Sequence, residues 1–225
     1  MKKIISVLVF SVAFSGFAQD IKKTQDLGLW MGVNANYVFK KDYTLTLSQD
    51  LRLNESITDL DRYITDLAIA YKINKQFKLA ATVRYYLEKD AEKEYSQDFR
   101  YSLDFQFKKK INSRFKMKYR FRYQNVYEEL FSGIPDGSKA NLRNKIEVGY
   151  KLNKKHAAYF ASEIFRKIVN YRAPFFNKLR LVVGDEFESR FGEFDFSLGY
   201  ERELNSARPL NYYFARVYYT FDFKK

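Results

Sequence analysis

The 225-residue chain contains no cysteine, three prolines, one histidine and one tryptophan. Without cysteine it has no disulfide and no thiolate metal site. A secreted chain of this size then needs a large core, or a closed barrel that satisfies its own backbone. No zinc-binding spacing and no glycine-rich phosphate loop occurs. Past the N-terminus no apolar run is long enough for a membrane helix, so any membrane insertion has to use strands.

The N-terminus has its own pattern. Lys2 and Lys3 precede an apolar stretch from Ile4 to Phe14, and Ser15-Gly16-Phe17-Ala18 closes it with small residues. That order is a secretory signal peptide over 1–18, with cleavage after Ala18. It is too short to span a bilayer, which takes roughly 20 residues. The remainder, 19–225, lacks linkers and composition breaks and reads as one domain. Removing the two lysines lowers the formal charge from +13 to +11. A basic excess can signal nucleic acid, but beyond the inner membrane the matching anions are lipopolysaccharide phosphates and small anionic solutes. A nucleic-acid partner is not expected.

What the chain has in abundance is aromatic residues, 22 Phe and 19 Tyr, set in a two-residue rhythm. Phe77, Leu79, Ala81, Val83, Tyr85 and Leu87 share one face of a segment. Lys78, Thr82, Arg84 and Glu88 share the other, with Ala80 and Tyr86 between them. Period two is the signature of a β-strand. It recurs at 27–39, 43–53, 62–73, 77–87, 97–108, 115–127, 141–152, 156–167, 177–184, 190–201 and 211–223.

Short turns at 40–42, 74–76, 109–114, 153–155 and 185–189 alternate with longer polar loops at 54–61, 88–96, 128–140, 168–176 and 202–210. Pro135, Pro174 and Pro209 all fall in the long loops, where no ladder hydrogen bond is lost. The loop holding Gly133 and Gly137 is the longest and the candidate for greatest mobility. Short turns on one rim and long loops on the other predict an all-β, up-and-down antiparallel transmembrane barrel with periplasmic turns. Such barrels usually have an even strand number, so about 12 strands are expected, with 10 as the lower count and Gln19 to Asp26 as the source of the extra one. A soluble lipocalin-like barrel would instead turn its apolar face inward. Against it stand the strand number, the regular turn–loop alternation, and aromatics gathered at strand ends, as at Tyr37, Phe39, Tyr43, Tyr71 and Phe77.

Several short stretches bear a likeness to known sequences. They are Leu29-Trp30, Asp50-Leu51-Arg52-Leu53, Asn141-Leu142-Arg143, Glu163-Ile164-Phe165, Lys178-Leu179-Arg180-Leu181 and Leu198-Gly199-Tyr200. Through them nearly the whole mature chain resembles an uncharacterised family of Gram-negative outer-membrane β-barrels, a domain of unknown function. The resemblance implies a barrel and a location, with no settled activity to carry over. At the C-terminus Val217, Tyr219, Phe221 and Phe223 alternate as a last strand should, but Lys224-Lys225 stands where a terminal aromatic is common. This end is expected to meet the barrel-assembly machinery.

The charges on the other face of the strands form the functional candidate. They are Arg52, Arg62, Asp66, Arg84, Arg100, Asp104, Arg120, Arg122, Arg143, Lys145, Glu147, Glu163, Arg180, Asp195, Glu201 and Arg216. Neighbouring strands bring such groups together as cross-strand ion pairs, which would rigidify a narrow lumen. The excess of cations would draw small anions along it. The alternatives are a scaffold whose loops bind a partner and a lipid-modifying enzyme. An enzyme needs an activated nucleophile. His156 follows a turn away from any serine-bearing loop, and a carboxylate base such as Glu163 could substitute, though nothing marks it beyond its expected burial. Glu128-Glu129, Asp136 and Asp185-Glu186 lack the spacing of a calcium loop. The expectation is a monomeric, non-enzymatic pore or scaffold in the outer membrane, without cofactor or metal, in contact with lipid and lipopolysaccharide.

Overall fold

Alternating side chains and Asn-centred turns build eleven strands, seen in a computed structural model that describes residues 24–89, 95–127, 139–168 and 173–224. The segment 1–18 read above as a signal peptide, the Gly133–Gly137 region, Pro135, Glu128, Glu129 and Asp136 lie outside the described residues. The strands are β1 (Gln25–Phe39), β2 (Tyr43–Asn54), β3 (Asp59–Lys72), β4 (Phe77–Lys89), β5 (Tyr95–Lys110) and β6 (Phe115–Tyr127). They continue with β7 (Lys139–Lys151), β8 (His156–Ile168), β9 (Phe175–Glu188), β10 (Glu193–Glu203) and β11 (Asn211–Lys224).

Sequence neighbours pair antiparallel all the way round, and β1 closes on β11 to give a barrel. That closing seam is parallel, from Gln25 opposite Asn211 to Val38 opposite Lys224. Here the structure departs from the expected even count. With eleven strands the first and last run in the same direction, so closure needs no twelfth strand but must use the slanted parallel ladder.

The short turns share a device. Asn74 Oδ1 accepts hydrogen bonds from the backbone N–H groups of Gln76 and Phe77 at 2.8 and 2.9 Å. Asn112 does the same for Arg114 and Phe115, and Asn153 for Lys155 and His156. Ser189 Oγ plays that part at the turn before Gly192. The asparagine side chain thus mimics a backbone turn and fixes the hairpin register. Lys40 and Lys41 instead adopt φ of 48° and 60°, the left-handed geometry of a tight hairpin.

The barrel is apolar outside and polar inside. Leu47, Leu67, Leu103, Ile146, Val183 and Leu198 are among the exposed large side chains, while Asp50, Asp104, Arg143, Glu163 and Glu201 are buried. A lipocalin-type interior would show the reverse. Aromatic rings ring both ends of the outer wall. Near the short turns, Phe39 meets Tyr43, Tyr43 meets Tyr71, Phe115 meets Tyr150 and Phe194 meets Tyr219, with centroids 4.4 to 5.5 Å apart. Near the long connections, Tyr101 meets Tyr123 at 6.2 Å and Tyr200 meets Tyr213 at 5.2 Å. Along β4, the rise from Phe77 to Tyr85 separates the two belts by roughly 20 Å for a tilted strand.

Candidate functional site: a basic lumen

All twelve of the charges Arg52, Arg84, Arg100, Asp104, Arg120, Arg122, Arg143, Lys145, Glu147, Glu163, Arg180 and Arg216 sit on inward positions of the strands. Strand register explains how they meet. Asp66 lies directly opposite Arg84, Asp104 opposite Arg122, Lys118 opposite Glu147, and Glu163 opposite Arg180. Directly opposed residues on one face of a sheet are within side-chain reach, so each rung becomes an ion pair.

Two of these rungs are bidentate forks. Arg84 donates Nε and Nη2 to the two oxygens of Asp66 at 2.6 and 2.5 Å. Arg122 grips Asp104 in the same way at 2.6 and 2.7 Å. Arg62 and Glu88 also pair side by side. Such forks fix the guanidinium plane as well as its charge.

Glu163 is the hub. Arg143 donates Nε and Nη2 to its two oxygens at 3.0 and 2.9 Å, and Arg120 Nη2 reaches Oε1 at 2.7 Å. Arg180 Nη1 stands 3.7 Å from Oε2, while its Nε bonds Glu201 at 2.7 Å. One carboxylate therefore holds together guanidiniums from three strands. Toward the short turns, Glu186 bridges Lys116 at 2.5 Å and Lys118 at 3.1 Å. Those contacts reach from β9 to β6 across the lumen.

Aromatic side chains fill the wall formed by β8, β9, β11 and β1. Trp30, Tyr159, Ala161, Val182 and Phe214 make one buried cluster. Trp30 stacks on Phe214 with centroids 4.0 Å apart, and the Arg52 guanidinium carbon lies 4.2 Å from the Trp30 ring. Gly199 makes room for Phe214, since a Cβ at that position would stand 2.1 Å from its Cζ. Ile64, Tyr86 and Val126 form a second inward cluster. Sequence reasoning quoted Trp30 only as part of the Leu29-Trp30 stretch and Tyr86 only as lying between the two faces of its segment, and it assigned none of these aromatics to the interior. The available signal was position: Trp30 alternates with Leu29 and Met31, so if those point outward the indole points in.

Between the clusters lies a cavity of about 540 Å³, lined by twelve basic side chains and three carboxylates, Asp50, Glu88 and Glu163. Toward the short turns a second space of about 880 Å³ is lined by nine basic side chains and one carboxylate, Glu147. Arg120 and Lys145 line both and stand at their boundary. Inward positions on β2, β3 and β4 nearby carry Thr44, Thr46, Ala68, Ala70, Ala80 and Thr82, which are too short to fill this end.

His156 is placed elsewhere. Its Nδ1 contacts Asp185 Oδ2 at 2.6 Å and its ring packs on Phe187 at 4.8 Å, beside the short turns. The pairs Ser162–Leu181 and His156–Phe187 show that β8 holds its serine six residues further along the strand. Among the described residues no group of three or more His, Cys, Asp or Glu could hold a metal ion, and Asp66, Asp104, Glu147, Glu163, Glu186 and Glu201 are engaged by arginine or lysine.

Compared with known families, residues 27–213 match the model of a protein of unknown function, DUF2490. No curated protein matches the chain.

Proposed function

Since the chain belongs to the DUF2490 family of proteins of unknown function, its role has to be argued from the barrel itself, and we propose that it is an outer-membrane barrel whose basic lumen forms a narrow path preferring small anions. The observation that carries this reading is the lining of the two adjoining spaces, where basic side chains outnumber carboxylates twelve to three and nine to one. In a channel with low-dielectric walls, such an imbalance focuses the field and concentrates counter-ions. The paired forks keep the lumen narrow, and the excess cations give it its sign.

Placement in the outer membrane rests on three supports. The N-terminus reads as a secretory signal, the outer wall is apolar, and aromatic belts flank it at about the height of a bilayer core in outer-membrane proteins. Contact with lipid and lipopolysaccharide, insertion by the barrel-assembly machinery through β11, and a monomeric state belong to the same reading. A lipid-modifying enzyme is the weaker account. Glu163 is held by three arginines rather than poised as a base, and His156 is engaged by Asp185 near the turns.

Planar-bilayer recording of the purified, folded protein tests the path. A KCl gradient is expected to give a small current with a reversal potential on the chloride side. A folded, inserted barrel that passes no current, or prefers potassium, would remove the pore reading. Heat-dependent gel migration of the membrane fraction tests the placement: a single band unaltered by boiling, or recovery of the protein from the soluble periplasm, would sink it.

A further inference from the structure

The surplus cations of the cavity of about 540 Å³, the upper one when the short turns are set at the bottom, are not distributed evenly. Arg84, Arg122 and Arg143 each spend a fork on a carboxylate. Arg52 and Arg100 do not. Arg52 stands in a loose ion pair with Asp50 at 3.8 Å, beyond hydrogen-bond distance, and its guanidinium carbon lies 4.2 Å from the centre of the Trp30 ring. Arg100 donates Nη2 to the Tyr86 hydroxyl at 3.1 Å, its guanidinium carbon 5.0 Å from that ring. Among the described residues no carboxylate comes within ion-pair distance of Arg100. The Nε atoms of both arginines are buried without a hydrogen-bond partner. Arg62 and Arg84 are near enough to both for their charges to repel.

Arg62 and Arg84 already have Glu88 and Asp66, so it is the unspent buried donors of Arg52 and Arg100 that call for a counter-anion. The donor geometry narrows its chemistry. A guanidinium presents parallel N–H groups that match two oxygens on one centre. Arg52 and Arg100 both line this cavity, each against an aromatic ring, and each can offer such donors to the oxygens of a tetrahedral group. A chloride offers one centre, and a carboxylate offers two oxygens in one plane. The cavity volume of about 540 Å³ is that of a small-molecule site.

Resting on the anion-path reading, we propose that Arg52 and Arg100, with Trp30 and Tyr86, form a saturable binding site for a phosphate-bearing small solute inside the barrel. The ligand is free in solution rather than the headgroup of a lipid, because the site lies within the lumen and an acyl chain would have to cross the polar ion-pair belt.

Trp30 is the only tryptophan of the chain, so its fluorescence reports on this site alone. The test titrates the folded protein in detergent micelles with pyrophosphate and with a phosphomonoester at constant ionic strength. A saturable change in emission is expected, absent with chloride or acetate. Arg52→Gln and Arg100→Gln should each weaken binding by roughly tenfold or more, the loss of one charge-assisted hydrogen bond. Arg100→Lys keeps the charge without the fork and should also weaken it, whereas Arg190→Gln on an exposed turn should bind as the parent does.

Three results would overturn the site: no saturable change in the parent protein, an equal response to chloride, or a response only to phosphatidate mixed into the micelle. Unaltered affinity in Arg100→Lys and in whichever glutamine variants still show heat-dependent migration would do so as well. No current flows in this assay. Loss of binding with retained anion current therefore removes the site and leaves the path, while binding without current does the opposite.

Discussion

The two ends of the lumen carry the same sign of charge on different side chains. The upper cavity is lined by nine arginines and three lysines, and the space toward the short turns by eight lysines and one arginine. Four of the arginines, Arg84, Arg122, Arg143 and Arg180, are set in planes by Asp66, Asp104, Glu163 and Glu201. Lys78 and Lys108 line that space, and among the described residues neither makes an ion pair with a carboxylate. An arginine fork is a rigid, directional donor, whereas a lysine is a hydrated point charge on a flexible stem. On the anion path proposed above, the arrangement would separate two tasks along one axis, with lysines gathering anions near the short turns and arginines presenting fixed donors further in.

The comparison breaks most sharply at the hub. Glu163→Gln would leave Arg120, Arg143 and Arg180 facing one another without their shared carboxylate. Removing one partner of a buried pair costs about 3–5 kcal/mol because the remaining charges stay buried. The folded fraction after refolding into micelles, and the denaturant midpoint of what does fold, should both drop by that measure. A midpoint equal to the parent would mean that the arginine belt is not held by Glu163.

The aromatic wall gives the next largest effect. Gly199→Val would drive its Cβ into the Phe214 ring, which already has no clearance there. Overpacking of this kind costs about 1–3 kcal/mol. Because Phe214 stacks directly on Trp30, the same substitution should shift the tryptophan emission even where the barrel remains closed. A stability loss with unchanged emission would show that the strain is relieved elsewhere.

Much of this architecture was readable from the residues, and the gaps have physical causes. Period two located every strand, because a half-buried strand must alternate. The 177–184 strand was read short: Asp185 and Glu186 look like turn residues, yet the strand runs on to Glu188. Asp185 meets His156 and Glu186 meets Lys116 and Lys118, so each acid has a partner that only pairing supplies. The 190–201 strand begins later, at Glu193, because Ser189 organises the turn through Gly192. Strand parity was harder still. Turns specify antiparallel neighbours, but nothing local tells the first strand that it will lie parallel to the last. The stack of Trp30 on Phe214 depends on that closure, which joins positions 184 residues apart. Aromatic residues suit either a lipid-facing or a packed inner position, so composition alone could not place them.

The smallest structural effect belongs to the lysines, and it sharpens the division of tasks best. Lys78→Gln combined with Lys108→Gln removes two charges from the space near the turns without breaking a fork. Stability should stay within about 0.5 kcal/mol of the parent, as for substitutions that disturb no packed contact. The reversal potential in a KCl gradient should move toward zero, and more so at low salt, because a field from hydrated charges is screened over roughly 10 Å at 0.1 M. The binding of pyrophosphate near Trp30 should change little at high salt. Arg100→Gln should do the reverse, weakening that binding at every salt concentration, since a fork acts at contact distance where screening is slight. Equal salt dependence in the two sets of variants would mean that the lumen carries one diffuse field instead of a gathering end and a binding end.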